Sequence, residues 1–276
     1  MKLPETETLA LSLQDGILHL TLNRPERKNA MNGRMLVELE DVFQHAHGDD
    51  DLRAIVLRGA GGSFCAGADL KDMASRGGEL GEGSAERDPR QTTAAGNRRF
   101  GRVTMAANAV DKPLIAVIEG AVMGGGFGLA CVTDIALAHR DAKFGMPETG
   151  LGLVPAQIAP FVVQRLGLTQ ARRLMLTGAR IGGAEAKELG LVHELHDTVE
   201  ALEGALDTVL AQVRRCAPRA NAATKRLLQR VATQALPDLD GVLDEAALMF
   251  ADASLGEEGR EGAQAFVEKR RPKWAR

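Results

Sequence analysis

Gly120-Ala121-Val122-Met123-Gly124-Gly125-Gly126-Phe127-Gly128-Leu129-Ala130 is the stretch whose reading decides the fold. The apolar run Leu114 to Ile118 comes just before it and a helical run, Leu129 to Val132, just after. Three consecutive glycines at a strand-to-helix junction let the backbone take φ > 0 and approach a ligand closely. The first N–H groups of the following helix have no intrahelical partner, and the helix dipole adds partial positive charge there. The stretch reads as a socket for negative charge.

The same unit of strand, glycine loop and helix recurs upstream at 54–74. Ala54-Ile55-Val56-Leu57 is a short, fully apolar strand of the kind covered on both faces. Gly59 to Asp69 is a second glycine-rich loop, and a helix follows from Leu70. If the two strands lie near each other, two backbone N–H groups converge on one oxygen. That is an oxyanion hole, in which one donor is typically worth about 2.7–4 kcal/mol.

Further out, Leu9 to Leu13 and Ile17 to Leu22 alternate and meet at Gln14-Asp15-Gly16, a hairpin signal. Asn23 to Asn29 is a polar loop, and Met35 to Ala46 has helical spacing. Gly77 to Pro89 is glycine-rich and charged, which predicts a mobile segment. Gln91 to Val110 reads as a helix. Asp134 to Ala138, Ala142 to Gly145 and Val192 to Leu195 read as strands. Met146 to Gly150 is a turn, Ala156–Leu166 and Thr169–Leu176 a helix pair broken at Gly167, and Ala184 to Leu189 a short helix. From Val199 only helical patterns remain, at 199–215, about 218–233, 239–252 and 258–270. The expected organisation is a core over 1–200 and a helical region over 201–276. The apolar faces of the latter (Leu227, Leu228 and Val231 among them) must cover the core or another subunit.

Composition narrows the function. A chain of 276 residues with net charge −3 and 3% aromatics has no general affinity for nucleic acid or anionic membrane. No apolar run approaches the roughly 18 residues of a membrane span. The N-terminus is acidic and lacks the apolar core of a secretory signal. Cys65, Cys131 and Cys216 are odd in number and set in apolar surroundings, which predicts small buried residues in a reducing cytoplasm. Only His45/His47 and His193/His196 have ligand-like spacing, so no metal is expected. The glycine spacing does not fit a dinucleotide fold, because position 129 is Leu. Cys65 has no base in sequence reach and is not read as a nucleophile.

Several segments closely resemble the paired motifs of the enoyl-CoA hydratase/isomerase (crotonase) superfamily. They are Phe64-Cys65-Ala66-Gly67-Ala68-Asp69-Leu70, Gly120 to Gly126, Asn23-Arg24-Pro25 with Asn29-Ala30, Asp134-Ile135-Ala136 and Phe144-Gly145-Met146-Pro147-Glu148. Leu176-Thr177-Gly178, Gly190-Leu191-Val192 and Ala265 to Arg270 match too, so the resemblance runs from about residue 9 to 270. It implies an α/β fold, a crotonase-like spiral of ββα units with a C-terminal helical trimerisation region, assembled as a homotrimer or dimer of trimers. It implies an acyl-CoA thioester as substrate and no separate cofactor, coenzyme A being part of the substrate.

Carried over by position, the N–H groups of Ala68 and Gly125 hold the thioester oxygen, with Gly124 beside them. Ala66, Asp69 and Leu70 line the adenine and pantetheine. Arg27, Lys28 and Ala30 lie near the CoA phosphates, and Phe266 and Lys269 reach CoA on a neighbouring subunit. Hydratases of the family carry two glutamates. The second matches Glu148, and the first falls where this chain has Gly128.

The run Gly124 to Cys131, with Val154 to Val163, Asn97-Arg98 and Cys216-Ala217-Pro218, is similar to the isohexenylglutaconyl-CoA hydratases of acyclic terpene breakdown. Relatives of that group hydrate 3-methylglutaconyl-CoA in leucine breakdown. Such substrates carry a distal carboxylate. Arg98 is then a candidate to hold it, and the carboxylate, or Gln157 through a water, partly fills the place left by Gly128. Two other readings stand beside hydration. One is a Δ3-Δ2-enoyl-CoA isomerase with Glu148 as single acid and base. The other is a CoA- or RNA-binding relative with weak catalysis.

Overall fold

Between Leu114 and Gly145 the chain passes twice from the larger sheet to the smaller one. The computed structural model describes residues 3–69, 89–233, 252 and 256–275. Leu70 with its expected helix, positions 77–88 of the segment expected to be mobile, and nearly all of 239–252 lie outside the described residues.

The larger sheet contains β1 (Leu9–Gln14), β2 (Ile17–Leu22), β3 (Ala54–Gly59), β4 (Leu114–Ile118), β6 (Ile135–His139) and β9 (Glu194–His196), in that spatial order. The β1–β2 hairpin is antiparallel and every other neighbour pair is parallel. The smaller sheet contains β5 (Ala121–Met123), β7 (Lys143–Gly145) and β8 (Arg180–Gly182). Thus β4 feeds β5, and β6 feeds β7, each step moving from the large sheet to the small one. The helices Gly125–Cys131 and Ala159–Thr177 carry the chain onward. This is the expected spiral of ββα units. The three-residue strands β5 and β8 were not legible as strands, being too short to show a period.

The parallel strands are buried on both faces. All five residues of β4 are buried, which is why Leu-Ile-Ala-Val-Ile reads as an unbroken apolar run. One face packs against Gly33–Ala46 and Pro89–Ala109, through Met35, Leu39, Val42, Phe43, Val103 and Ala107. The opposite face packs against Val199–Arg215, through Leu202, Leu206, Val209, Leu210 and Val213. The expected break at Gly167 is present as a φ of 74° inside the Ala159–Thr177 helix.

One expectation changes. Cys65 and Cys131 are buried, and burial pushes each thiol up to about 12. Cys216, however, is exposed, because it closes the Val199–Arg215 helix at its solvent end. Leu228 and Val231 of the Pro218–Thr233 helix are exposed within one chain, which leaves another subunit, of the two expected alternatives, to cover them. No helix among the described residues is long and apolar enough to cross a membrane, and none of their His, Cys, Asp and Glu side chains form a metal-binding group.

Candidate active site

The two glycine loops meet at the edge of the small sheet. Cys65 pairs with Val122 as a parallel bridge: Cys65 N–H donates to Ala121 O (2.9 Å) and Met123 N–H donates to Cys65 O (2.9 Å). One step further the backbones touch. A Cβ on Gly67 would stand 2.8 Å from Met123 O and 3.7 Å from Gly124 Cα. Gly67 has φ 95° and Gly124 φ 50°, so each loop needs glycine both for conformation and for room.

The next residue of each loop carries a free donor. Met31 N–H donates to Gly67 O (2.7 Å) and Asp69 N–H to Met31 O (2.9 Å). In that parallel pattern the N–H of Ala68 is directed away from Met31, and it has no backbone acceptor among the described residues. Ala68 is exposed and Gly125 half-exposed. Gly125 is the first residue of its helix, with Gly124 as N-cap, so its N–H has no intrahelical acceptor. Two donors therefore follow directly from the point where the loops touch.

Glu148 is delivered to the same point. Gly124 N–H donates to Gly145 O (2.9 Å), which ties the second loop to β7 and to the turn after it. Glu148 opens a single turn, Glu148–Leu151, after Pro147. Its Oε1 lies 2.9 Å from where a Cβ on Gly124 would stand, and its Oε2 is buried without a hydrogen-bond partner. Loss of hydration raises its pKa above the ordinary glutamate value, a shift opposed only by a bond from its own backbone. A carboxyl group so placed suits proton transfer near neutral pH.

Gly128 is a spatial glycine, with φ outside the left-handed region. A Cβ there would stand 2.3 Å from Ile158 Cγ2 and 3.6 Å from Phe100 Cε1. The space beside Gly128, expected to be left for the substrate carboxylate or for Gln157, is therefore taken by Ile158. Gln157 instead lies over Gly101, where an added Cβ would stand 2.0 Å from its Oε1 and 2.7 Å from Arg98 Nη1. Arg98 and Gln157 are thus brought together. Phe100, one residue before Gly101, lies 3.2 Å from the Cβ position of Gly125 and links the pair to the oxyanion loop.

Of the other expected residues, Ala66 N–H donates to Lys28 O (2.9 Å), which sets the Arg27–Ala30 turn beside the first loop. Arg27 and Lys28 are exposed and Ala30 half-buried. Asp69 does not offer a free carboxylate: Arg24 Nη2 donates to its Oδ2 at 2.9 Å, and Arg24 Nη1 donates to Ala30 O. Leu70 lies outside the described residues. Lys269 is exposed, with φ 52°, in the turn after the Glu257–Val267 helix that contains Phe266. The chain just beyond, at Trp274 O, accepts a bond from Arg53, the residue before β3. The loop of the site leaves the other end of β3. Within one chain Trp274 therefore lies at the end of β3 opposite to the loop that leads to Ala68.

Arg24, Phe100, Met31 and Ile158 are site residues that the sequence did not assign. Arg24 had a signal, its place in Asn23-Arg24-Pro25. The other three make contacts of apolar side chains with glycine and have no local signature.

Residues 12–276 match the model of the family described as enoyl-CoA hydratase/isomerase. The 2,3-dehydroadipyl-CoA hydratase of Escherichia coli (strain K12) is 33% identical over 268 residues, 96% of this chain and 97% of that protein. The solved structure of Pseudomonas aeruginosa AtuE is 52% identical with a TM-score of 0.91, over 98% of this chain and 100% of that one. An enoyl-CoA hydratase/isomerase from Marinobacter aquaeolei is 53% identical with a TM-score of 0.89, over 98% and 99%. This chain belongs to the enoyl-CoA hydratase/isomerase family.

Proposed function

We propose that this protein hydrates a branched, glutaconyl-type enoyl-CoA thioester, with Glu148 as acid and base. The observation that carries the reading is the Glu148 carboxyl group against Gly124, one oxygen buried and unpartnered, beside the loop that presents the Gly125 N–H. The N–H groups of Ala68 and Gly125 hold the thioester oxygen. Addition at the β-carbon moves an electron pair onto that oxygen, so the donors bind the enolate more strongly than the substrate. Glu148 takes a proton from water as its hydroxyl bonds to the β-carbon. The same carboxyl group then returns a proton to the α-carbon as the enolate collapses.

A distal carboxylate on the acyl group suits the Arg98–Gln157 pair, where a guanidinium and a carboxamide stand together beside Phe100. The relative from Escherichia coli supports this class of substrate, since its name specifies an acyl chain that ends in a carboxylate. Arg27, Lys28 and Ala30 suit the CoA phosphates, and Phe266 and Lys269 serve a neighbouring subunit of a trimer or dimer of trimers. The protein acts in the cytoplasm, in terpene or leucine breakdown.

A second reading is favoured by Ile158. With the side of Gly128 filled and the Asp69 carboxylate engaged by Arg24, Glu148 is the carboxylate set against the second loop, and one base suffices for a Δ3-Δ2 isomerase. A panel of CoA thioesters with product identification separates the readings. Hydration expects solvent oxygen at the β-carbon and a higher rate on a glutaconyl-type thioester than on crotonyl-CoA. Equal rates on both would end the reading of a carboxylate-bearing acyl group, and double-bond migration without solvent oxygen would select the isomerase.

A further inference from the structure

We propose that Gly128 and Ile158 form a steric pair that keeps a second acid–base side chain out of the site and so enforces one-carboxylate chemistry. Ile158 stands just before the Ala159–Thr177 helix and is 3% exposed. Its Cγ2 and Cβ lie 2.3 and 3.0 Å from the Cβ position of Gly128. Contacts this short leave no room for even a methyl group, and the atoms belong to a β-branched side chain with little freedom at χ1. They are not the far end of a flexible chain. The Gly125–Cys131 helix therefore presents bare backbone towards Ile158 and Phe100.

Gly128 has ordinary helical conformation, so a larger residue is excluded there by packing and not by the backbone. It follows that the identity of position 128 is set by position 158. A carboxylate can enter at 128 only when Ile158 is trimmed. The pair makes Ile158 a specificity-determining residue for the reaction, although its side chain touches no reacting atom.

The steric part of the test needs no substrate. Gly128→Ala alone overpacks the site and is expected to lower Tm by roughly 5 °C. Ile158→Ala lowers Tm by loss of packing. The double variant Gly128→Ala/Ile158→Ala is expected to melt above the Ile158→Ala single, because the new methyl group refills the space. Additive losses would overturn the pair.

The catalytic part rests on the proposed function. Gly128→Glu/Ile158→Ala is compared with Ile158→Ala for hydration of crotonyl-CoA, which has no distal carboxylate of its own. A gain of about 10-fold or more is expected, at the low side of what general acid–base catalysis supplies. An unchanged rate in a folded double variant would overturn the gating role. Coupled melting temperatures without activity on any enoyl-CoA would instead keep the steric pair and reject the proposed function.

Discussion

Oε1 of Glu148 and the backbone of Gly124 are so close that a Cβ on Gly124 would stand 2.9 Å from the carboxyl oxygen. The acid–base group and the oxyanion loop are therefore one packed unit. Moving either displaces the other.

Gly124→Ala tests that unit. The φ of 50° is strained for alanine, and the new methyl group meets Glu148. The variant is expected to fold and to lose kcat by about 10²–10³-fold, comparable with the loss of one oxyanion donor. Steady-state kinetics with a circular-dichroism control checks it. An unchanged kcat would detach Gly124 from the site.

Arg24 holds the first loop from below through Asp69 and Ala30 O. The ion pair is nearly buried, with side-chain exposures of 17% and 10%. Arg24→Ala leaves the Asp69 carboxylate without this partner in a dry place. It is expected to cost about 3 kcal/mol of stability in a urea melt and to lower kcat, because Ala68 is the residue between Gly67 and Asp69. Arg24→Lys keeps the charge but not the two-pronged geometry, so partial recovery is the expected result.

Arg98→Ala separates the acyl group from the CoA thioester. Loss of one charged hydrogen bond is typically worth about 1.5–3 kcal/mol, or about 10–100-fold in affinity. The KM for a carboxylate-bearing enoyl-CoA is expected to rise by that factor, and the KM for crotonyl-CoA to stay unchanged. Equal effects on both substrates would return Arg98 to the role of a solvated helix charge, in keeping with its exposed side chain.

Much of this site was legible because its donors are backbone atoms. Glycines at 67, 124 and 126 mark where backbones must approach, and such a need is written locally in the chain. Gly128 was legible as a departure from the two-glutamate pattern. Its cause, Ile158, was not, since the contact joins residues 30 positions apart through one methyl group. Arg24 was visible within a motif, but its engagement of Asp69, 45 positions away, depends on the bridge between Met31 and Ala68. The short strands β5 and β8 were missed for a different reason. Three residues carry no period, and the neighbours that make them strands come from distant turns of the spiral.

Glu148 finally predicts two pH effects of defined sign. Its carboxyl group ionises above the usual glutamate value because burial penalises the charge. As the base, it is active only when ionised, so the acid limb of kcat/KM is expected above pH 4.5, the ordinary glutamate value. Glu148→Gln is expected to abolish that limb and to reduce kcat by about 10²–10⁴-fold. The stability effect follows from linkage. A pKa higher in the folded state than in the unfolded one means that the folded state binds more protons in between. The resulting stability is complete below the unfolded value and is lost as pH rises through the folded one. Above its folded-state pKa the wild type therefore holds a half-buried charge that Glu148→Gln lacks. The variant is expected to be the more stable protein at pH 7, with the gap closing as the pH falls towards 4.5. Paired urea melts across that range check the sign, and a variant less stable than wild type at pH 7 would contradict a net desolvation cost at Glu148.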